Sequence, residues 1–546
     1  MKILLVGINA KFIHPNLAIR LLQANTTFPI DLMEWTIKDD PQTIANAILQ
    51  EKPDVVGISC YIWNIESVKE LLLLLRKNTS SFILLGGPEV SFNPLHYIHT
   101  YHVNAILCGE SELSFPLLLN AIQQNLSFQD IPGLVTGNLF QAPTFVKDLH
   151  LVQSPYYLPC DYTKKIVYME TSRGCPFHCS YCLASLENHV RFFDMDRVKK
   201  DLLYLFQQGA KTFKFLDRTF NADIKRAKDL FSFLIENHPE DSVFQFEITG
   251  DIFPASLIDF INESAPAHLF RFEIGIQSIY EKTNRLIDRK QNTATLFAAI
   301  KQLTEGGKVD LHLDLIAGLP NENLSQFENS FNKTIAFKPK ECQLGFLKIL
   351  KGTKLEQEIK KYGYEVNQFA PYEIIKNDVL SEEDIAQIHL VEKVVDKCYN
   401  TGYMKKTMSY LIDHCPSFFQ FCLDFNRYFS TAHNWLQYNL DDLFKAMFSF
   451  MQTKQENTEE ILFLMKMDYL THFKIKPKIW WQQQAKTQKN SLLETIYPHF
   501  LTYLPKEDIR KYGIIETFEN QLFFIYYKQN DFQYKLISLP FFSCKN

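Results

Sequence analysis

Short apolar runs alternate with amphipathic helical stretches twice along this chain, and that alternation limits its fold more than any other feature. In the first series the predicted strands are Lys2 to Ile8, Asp31 to Trp35, Asp54 to Cys60, Phe82 to Gly86 and Ala105 to Cys108. Between them, stretches such as "NLAIRLLQANT" and "IESVKELLLLLRKN" place apolar residues at helical spacing. Alternation of this kind predicts a parallel sheet with helices on both faces, and ligands in such sheets sit at the carboxyl ends of the strands. The unusual residues lie at those ends: "NAKFIHPN", "SCYIWN", "GGPEVSF" and "CGESE". Their glycines suit either a close-approaching ligand or a tight turn, and spacing alone does not choose between the two.

The second series predicts strands near Ile166 to Glu170, Thr212 to Leu216, Val243 to Ile248, Leu269 to Gly275, Leu311 to Ile316 and Cys342 to Ile349, each pair separated by a helical pattern. Six such units fit a partial barrel, with its active face at the strand carboxyl ends. With 546 residues and roughly 150 per domain, three or four domains are expected. The predicted divisions are residues 1–140, a proline-bearing linker over 141–164, a barrel over 165–365, and a mainly helical region over 366–546 that ends in a β-hairpin turning at "KQND". The fold class is therefore α/β, followed by a helical C-terminal domain.

Charge and composition exclude some functions. A formal charge of −5 gives no global field for nucleic acid or anionic membrane. "MKILLVGINAKF" reads as a first strand rather than a signal peptide, and no stretch approaches a membrane span, so a cytoplasmic location is expected, with neither a membrane nor a clear nucleic-acid partner. "KIKPKIWWQQQAKTQK" (Lys474 to Lys489) carries Trp480 and Trp481 among bases, which fits a solvated face beside core tryptophans better than a base-stacking platform.

In a reducing compartment eleven cysteines argue for metal or catalytic use. Three of them, Cys175, Cys179 and Cys182, crowd into "TSRGCPFHCSYC" directly after the first barrel strand. Three thiolates can hold three corners of a cubane iron–sulfur cluster and leave one iron open. The competing reading is a zinc site completed by His178 or His189, but no second cysteine pair is present.

"CPFHCSYC", with Tyr181 before its last cysteine, resembles the signature of the radical SAM (S-adenosylmethionine) superfamily. The resemblance implies a [4Fe-4S] cluster on Cys175, Cys179 and Cys182, chelation of its free iron by SAM, and reductive cleavage to a 5′-deoxyadenosyl radical fed by an external donor such as flavodoxin or ferredoxin. It also implies SAM contacts: Asp217 of "FKFLDRTFN" toward the amino group, Glu247 of "FEITGD", Glu273 and Gln277 of "FEIGIQS" near the ribose, and Gly318 of "DLIAGLPNE" against the adenine. Arg173 and Arg285 are weaker candidates for its carboxylate. The front "GGPEVSF" and "CGESE" turns are similar to those of cobalamin (vitamin B12)-binding, flavodoxin-like domains, which implies cobalamin contacts at Gly86, Gly87, Glu89, Gly109 and Glu110. The Asp-x-His-x-x-Gly loop of many such domains is missing, and His14 is the one histidine near the expected place. The C-terminal region resembles the helical extension of an uncharacterised branch. The expected function is reductive SAM cleavage with cobalamin-dependent methyl transfer to an unactivated carbon of an unknown substrate. Another radical SAM reaction without cobalamin and a non-catalytic iron–sulfur sensor both stay open.

Overall fold

The computed structural model describes residues 1–187, 189–454, 458–473, 475–482, 490–494, 496–497, 505–528 and 531–538. Cys544, Lys474, residues 483–489 and the hairpin-turn residues Gln529 and Asn530 lie outside them. The chain divides into two compact units, residues 1–330 with 344–385, and residues 331–343 with 386–546.

The first unit opens with strands β1 (Ile3–Asn9), β2 (Ile30–Thr36), β3 (Val55–Ser59), β4 (Phe82–Gly86) and β5 (Ala105–Leu107), which pair in parallel in the order 2-1-3-4-5. This is the flavodoxin-like order, and its topological switch point falls between β1 and β3. β1 and β3 are buried along their whole length, as strands covered on both faces must be. Helix starts follow local chemistry: the Asn16 side chain accepts from Ile19 N, and Asp40 accepts from Thr43 N with Pro41 in the first turn. Two short antiparallel strands, β6 (Leu134–Thr136) and β7 (Leu139–Phe140), extend the sheet beyond β5.

The second sheet is formed by β8 (Ile166–Met169), β11 (Thr212–Phe215), β12 (Val243–Ile248), β13 (Phe270–Gln277), β14 (Asp310–Ala317) and β15 (Glu341–Phe346). It runs in chain order from β8 to β15, with both edges open, and its pairings from β8 to β14 are parallel. Two small antiparallel pairs accompany it, β9 (Ser172–Arg173) with β10 (Arg191–Phe192), and β16 (Glu365–Val366) with β17 (Ile374–Lys376). The region expected to be helical from residue 366 thus begins with the second of these pairs, which belongs to the first unit. The predicted linker is packed rather than loose: Val146, Val152, Tyr156 and Tyr162 are buried.

Alternation divides the barrel strands cleanly. One face carries Phe213, Phe215, Phe244, Phe246, Phe270 and Phe272, all fully buried, and Phe206 and Phe231 of the covering helices meet this layer edge-on or tilted. The opposite face, inside the curve, carries Tyr168, Lys214, Gln245, Glu247, Arg271, Glu273, His312 and Asp314. A lumen so rich in polar groups is held by internal pairing: Lys214 Nζ lies 3.0 Å from Glu273, and His312 Nε2 lies 2.9 Å from Asp314.

The second unit packs helices such as Phe418–Ser430, whose Phe418, Phe419, Phe421, Phe425 and Phe429 are all buried. Its aromatic composition is therefore core. Trp481 donates to Glu516 at 2.9 Å beside the rings of Tyr469 and Trp480, and both tryptophans are half-buried rather than core. The expected C-terminal hairpin forms between β19 (Gln521–Lys528) and β20 (Asp531–Ser538), and β18 (Gly513–Phe518) adds a third antiparallel strand. No described helix is long and apolar enough to cross a membrane, and every described cysteine is free.

Candidate functional site

The cysteine loop is closed at its base by the β9–β10 pair. Gly174 begins it with φ +89°, and a Cβ there would stand 2.2 Å from the carbonyl oxygen of His189, so the hairpin closes only around glycine. Asp217, at the end of β11, is buried and fixes the start of the loop: its carboxylate accepts from Thr171 N at 3.0 Å, Thr171 Oγ1 at 2.5 Å and Ser172 Oγ at 2.6 Å. Burial pushes this carboxyl up to about 6, against the pull of the three donors. Asp217 is thus bonded to the loop backbone and hydroxyls, at the strand end where a SAM contact is expected.

Farther along, Ser180 N donates to Ile287 O and Leu355 N donates to Ser180 O, both at 2.9 Å, so the turn that carries Cys179 is gripped from two sides. Cys175 Sγ lies 3.5 Å from Thr219 Oγ1, and Arg289 Nη1 points at Cys179 Sγ from 3.9 Å. Burial pushes the Cys179 and Cys182 thiols up. Arg289 opposes that at Cys179, the Ala184 N–H and Arg218 oppose it at Cys182, and Cys175 adds to the rise at Cys179 as Cys179 and Cys175 do at Cys182. The three sulfurs therefore lie within electrostatic reach of one another. Among the described residues no three His, Cys, Asp or Glu side chains converge on a point that one metal ion could occupy. His178 is exposed.

The predicted SAM contacts divide into engaged and open groups. Glu273 is engaged by Lys214 and by Gln245 Nε2. Gly318 has φ +93°, and its carbonyl accepts from Tyr364 Oη at 2.9 Å and Asn377 Nδ2 at 3.0 Å. Glu247, opposite Glu273 in register, is pushed up by burial and has only a loose pairing to Arg218 at 3.7 Å. Gln277 ends β13 at φ +62°, a conformation uncommon outside glycine, and its buried Oε1 has no hydrogen-bond donor. Sequence reasoning missed Arg218 and Arg289, since a lone arginine after a strand or a short helix carries no motif. Arg285 is exposed beside Glu281.

The front-domain residues are placed differently. Gly87, φ +112°, leaves room for the carbonyl of Cys60, from which a Cβ would be 2.3 Å away, and Cys60 N donates to Gly86 O at 2.7 Å. Gly109, φ +88°, makes the same room for Thr144 O, at 2.2 Å. Glu89 accepts from Lys351 Nζ at 2.8 Å and from Tyr372 Oη. Glu110 meets Arg191 through both oxygens at 2.7 and 2.8 Å, and Arg173 Nη2 reaches Glu112 at 2.6 Å and Glu170 at 2.8 Å. The first arginine of the cysteine motif therefore binds the "CGESE" turn, and both lie within the first unit. His14 Nδ1 is hydrogen-bonded to Tyr168 Oη at 2.7 Å. The polar groups being engaged, the exposed surface at the ends of β1, β3 and β4 is aromatic: Phe12 (66%), Trp63 (47%) and Phe92 (37%), with Tyr61 stacked on Trp63 at 4.3 Å.

This sheet order and this cysteine loop have counterparts. Residues 3–119 match the family described as "B12 binding domain", residues 169–334 the "Radical SAM superfamily", and residues 360–536 "Protein of unknown function (DUF4080)". The chain carries a radical SAM domain behind a B12-binding domain. It is 31% identical over 205 residues to an uncharacterised methyltransferase of Pyrococcus horikoshii, covering 34% of this chain and 44% of that protein. It is 23% identical over 349 residues to the cobalamin-dependent radical SAM methyltransferase TokK of Streptomyces tokunonensis, covering 59% of this chain and 51% of that protein. The matches thus span about half the length of these relatives. In fold, it superposes on the cobalamin-dependent radical enzyme OxsB with a TM-score of 0.60 at 14% identity, covering 92% of this chain and 81% of that one. For TsrM of Kitasatospora setae the TM-score is 0.55 at 16% identity, over 67% and 78%.

A radical SAM domain implies a [4Fe-4S] cluster and SAM, and a B12-binding domain implies cobalamin. The residues present fit these groups. No disulfide or carboxylate occupies the three thiols: Cys175 Sγ has Thr219 Oγ1 at 3.5 Å, and Cys179 Sγ faces Arg289, a cation suited to a thiolate. The orphaned Gln277 Oε1 has room to accept from a ligand hydroxyl or ammonium, and flat exposed rings at the switch point suit a flat macrocycle.

Proposed function

We propose that this chain is a cytosolic cobalamin-dependent radical SAM enzyme that methylates an unactivated carbon, with electrons supplied by an external protein donor such as a flavodoxin or ferredoxin. The observation that carries the reading is the bonding of the two cofactor domains: Arg173, two residues before Cys175, is clamped by Glu112 and Glu170. When bound, the cluster with SAM supplies hydrogen abstraction by a carbon radical, and cobalamin supplies a methyl carrier. The chain's own residues do the rest. Cys175, Cys179 and Cys182 would hold the cluster. Gln277 and Glu247 face the strand ends with hydrogen-bonding capacity in reserve, and Asp217 locks the loop so that the sulfurs stay in register. The phenylalanine layer behind the barrel sheet keeps water from that side of the strands. The relatives named methyltransferases support the reaction class.

The test is anaerobic reconstitution with iron, sulfide and hydroxocobalamin, followed by turnover with methyl-labelled SAM. A retained corrinoid band, 5′-deoxyadenosine and labelled product are expected. Colourless protein rich in zinc overturns the reading altogether, and 5′-deoxyadenosine without corrinoid or methylated product removes its methyl-transfer part.

A further inference from the structure

Arg289 is the residue whose surroundings the proposed reaction does not yet explain. It lies just beyond the helix Glu281–Leu286, and its backbone N–H donates to Asn284 O at 2.8 Å. Its guanidinium lies beside the Tyr181 hydroxyl and is held by three further contacts. Nη2 donates to Gly275 O at 2.6 Å, Nε donates to Gln291 Oε1 at 2.8 Å, and Nη1 points at Cys179 Sγ from 3.9 Å. Gln291 is fixed in turn by the carbonyls of Ile276 and Ser278, at 3.1 and 3.3 Å. Gly275, whose carbonyl holds Nη2, also makes room for the Gln277 amide, from whose Nε2 a Cβ would stand 2.2 Å away.

The charge balance is the second observation. Arg20, Arg173 and Arg191 are partly buried and each is met by carboxylates. Among the described residues Arg289 is also partly buried, yet no carboxylate lies within ion-pair distance of it. Asp251, the acid whose field reaches it, accepts instead from Asn292 N at 2.9 Å. A guanidinium withdrawn from water without a counter-ion calls for an anion, and the group it is aimed at is a cluster cysteine. The same segment is bound to the cysteine loop a second time, through Ser180 N and Ile287 O.

From this geometry we infer that Arg289 is a positioning residue that tunes the cluster, using an N–H···S contact and a fixed positive charge to raise its reduction potential. This rests on the reading that the three cysteines hold a [4Fe-4S] cluster. The step concerned is the uptake of one electron from the external donor, which changes the core from [4Fe-4S]2+ to [4Fe-4S]+. No bond is made or broken in the protein. The added negative charge on the sulfurs is stabilised by a nearby cation and by donors to sulfur, and such contacts help to set cluster potentials.

The experiment compares wild type, Arg289→Gln and Arg289→Lys, each anaerobically reconstituted and assayed for iron and sulfide, then titrated with dithionite and followed by the electron paramagnetic resonance of the reduced cluster. Arg289→Gln is expected to keep its iron and to show, at the wild-type midpoint, a reduced-to-oxidised ratio about tenfold smaller, which is about 59 mV for a one-electron couple. Arg289→Lys keeps the charge and loses the fork, so a smaller drop in the same direction, about threefold, is expected. A residue that merely packs leaves the midpoint unmoved. A wild-type midpoint in an iron-replete Arg289→Gln overturns the inference, and so does a wild-type midpoint in Arg289→Lys if the glutamine variant loses its iron. Wild-type protein that takes up no cluster overturns the underlying reading instead.

Discussion

Two glycine-led segments of the first unit use the same backbone device for different ends. In the front domain Gly109 takes φ +88° and leaves space for Thr144 O; in the barrel Gly174 takes φ +89° and leaves space for His189 O. In both, a Cβ would stand 2.2 Å from that oxygen. The residues beyond each glycine differ. After Gly109 come Glu110, both of whose oxygens meet Arg191, and Glu112, whose Oε1 meets Arg173. After Gly174 come three cysteines that no carboxylate or disulfide engages. A glycine in a strand-end turn therefore marks where the backbone closes on itself, and the donors left without strong partners mark where a ligand belongs.

The largest effect that separates the two segments is loss of the metal. Cys179→Ala is expected to cut iron retention from about four atoms per chain to a small residue, because a cubane with two protein thiolates is poorly held. Glu112→Ala is expected to keep the iron. Iron and sulfide analysis after anaerobic reconstitution checks both, and equal loss in the two variants breaks the distinction.

Next comes the bond between the segments. Arg173→Ala leaves Glu112 and Glu170 beside each other without their cation, and their side chains are only 7% and 19% exposed. Uncompensated charges of this kind cost about 3–5 kcal/mol. Urea unfolding followed by fluorescence is expected to show that loss. An unchanged midpoint would mean that the arginine is peripheral to the joint.

Much of this arrangement is legible in the residues, and the illegible parts share a cause. The long parallel strands are legible in two ways, as continuous apolar runs in β1 and β3 and as period-two burial in barrel strands such as "FRFEIGIQ" of β13. Both signals miss β6, β7, β9 and β10, which have two or three residues each and too few for any period. Prolines over 141–164 suggest a loose linker, but proline breaks periodicity without preventing burial, and Val152 and Tyr156 are covered. The cluster cysteines are visible because their chemistry needs them close in sequence. The Arg173–Glu112 contact spans 61 residues and the Arg289–Cys179 contact 110, and a single chain carries no signature of such pairings.

The glycines themselves offer a sharper test. Alanine at either position must adopt a left-handed conformation and push a carbonyl aside, which together cost about 2–4 kcal/mol. Gly109→Ala and Gly174→Ala are therefore expected to lower the unfolding midpoint by similar amounts, since the clash distance is the same. They are expected to differ in iron: Gly174→Ala reopens the base of the cysteine loop and lowers cluster occupancy, whereas Gly109→Ala leaves it intact. Thermal unfolding of the apo chains, beside iron analysis of the reconstituted ones, reads the two effects separately.

The smallest effect concerns two acids in such turns. Burial alone would raise Glu110, but the bond from Arg191, the charge of Arg173 and the Val146 N–H outweigh it and hold the carboxyl below its usual value. In the barrel, Glu322 of "GLPNE" is 1% exposed, and burial pushes it up to about 7 although Ser330 and Ser278 hydroxyls donate to it at 2.7 and 2.8 Å. The signs are therefore opposite. Folded Glu322 binds its proton more tightly than the unfolded chain does, so its contribution is complete below pH 4.5 and is lost as the pH rises to about 7. Glu110 contributes above the ordinary carboxylate range and loses that contribution as the pH falls through its depressed value. The stability difference between wild type and Glu322→Gln is expected to shift against wild type by at most about 3 kcal/mol between pH 4.5 and 7. The corresponding difference for Glu110→Gln is expected to be flat across that window and to change only at lower pH. Denaturant unfolding at a series of pH values decides it, and a Glu322→Gln difference that also stays flat would place that carboxylate in contact with water or a cation.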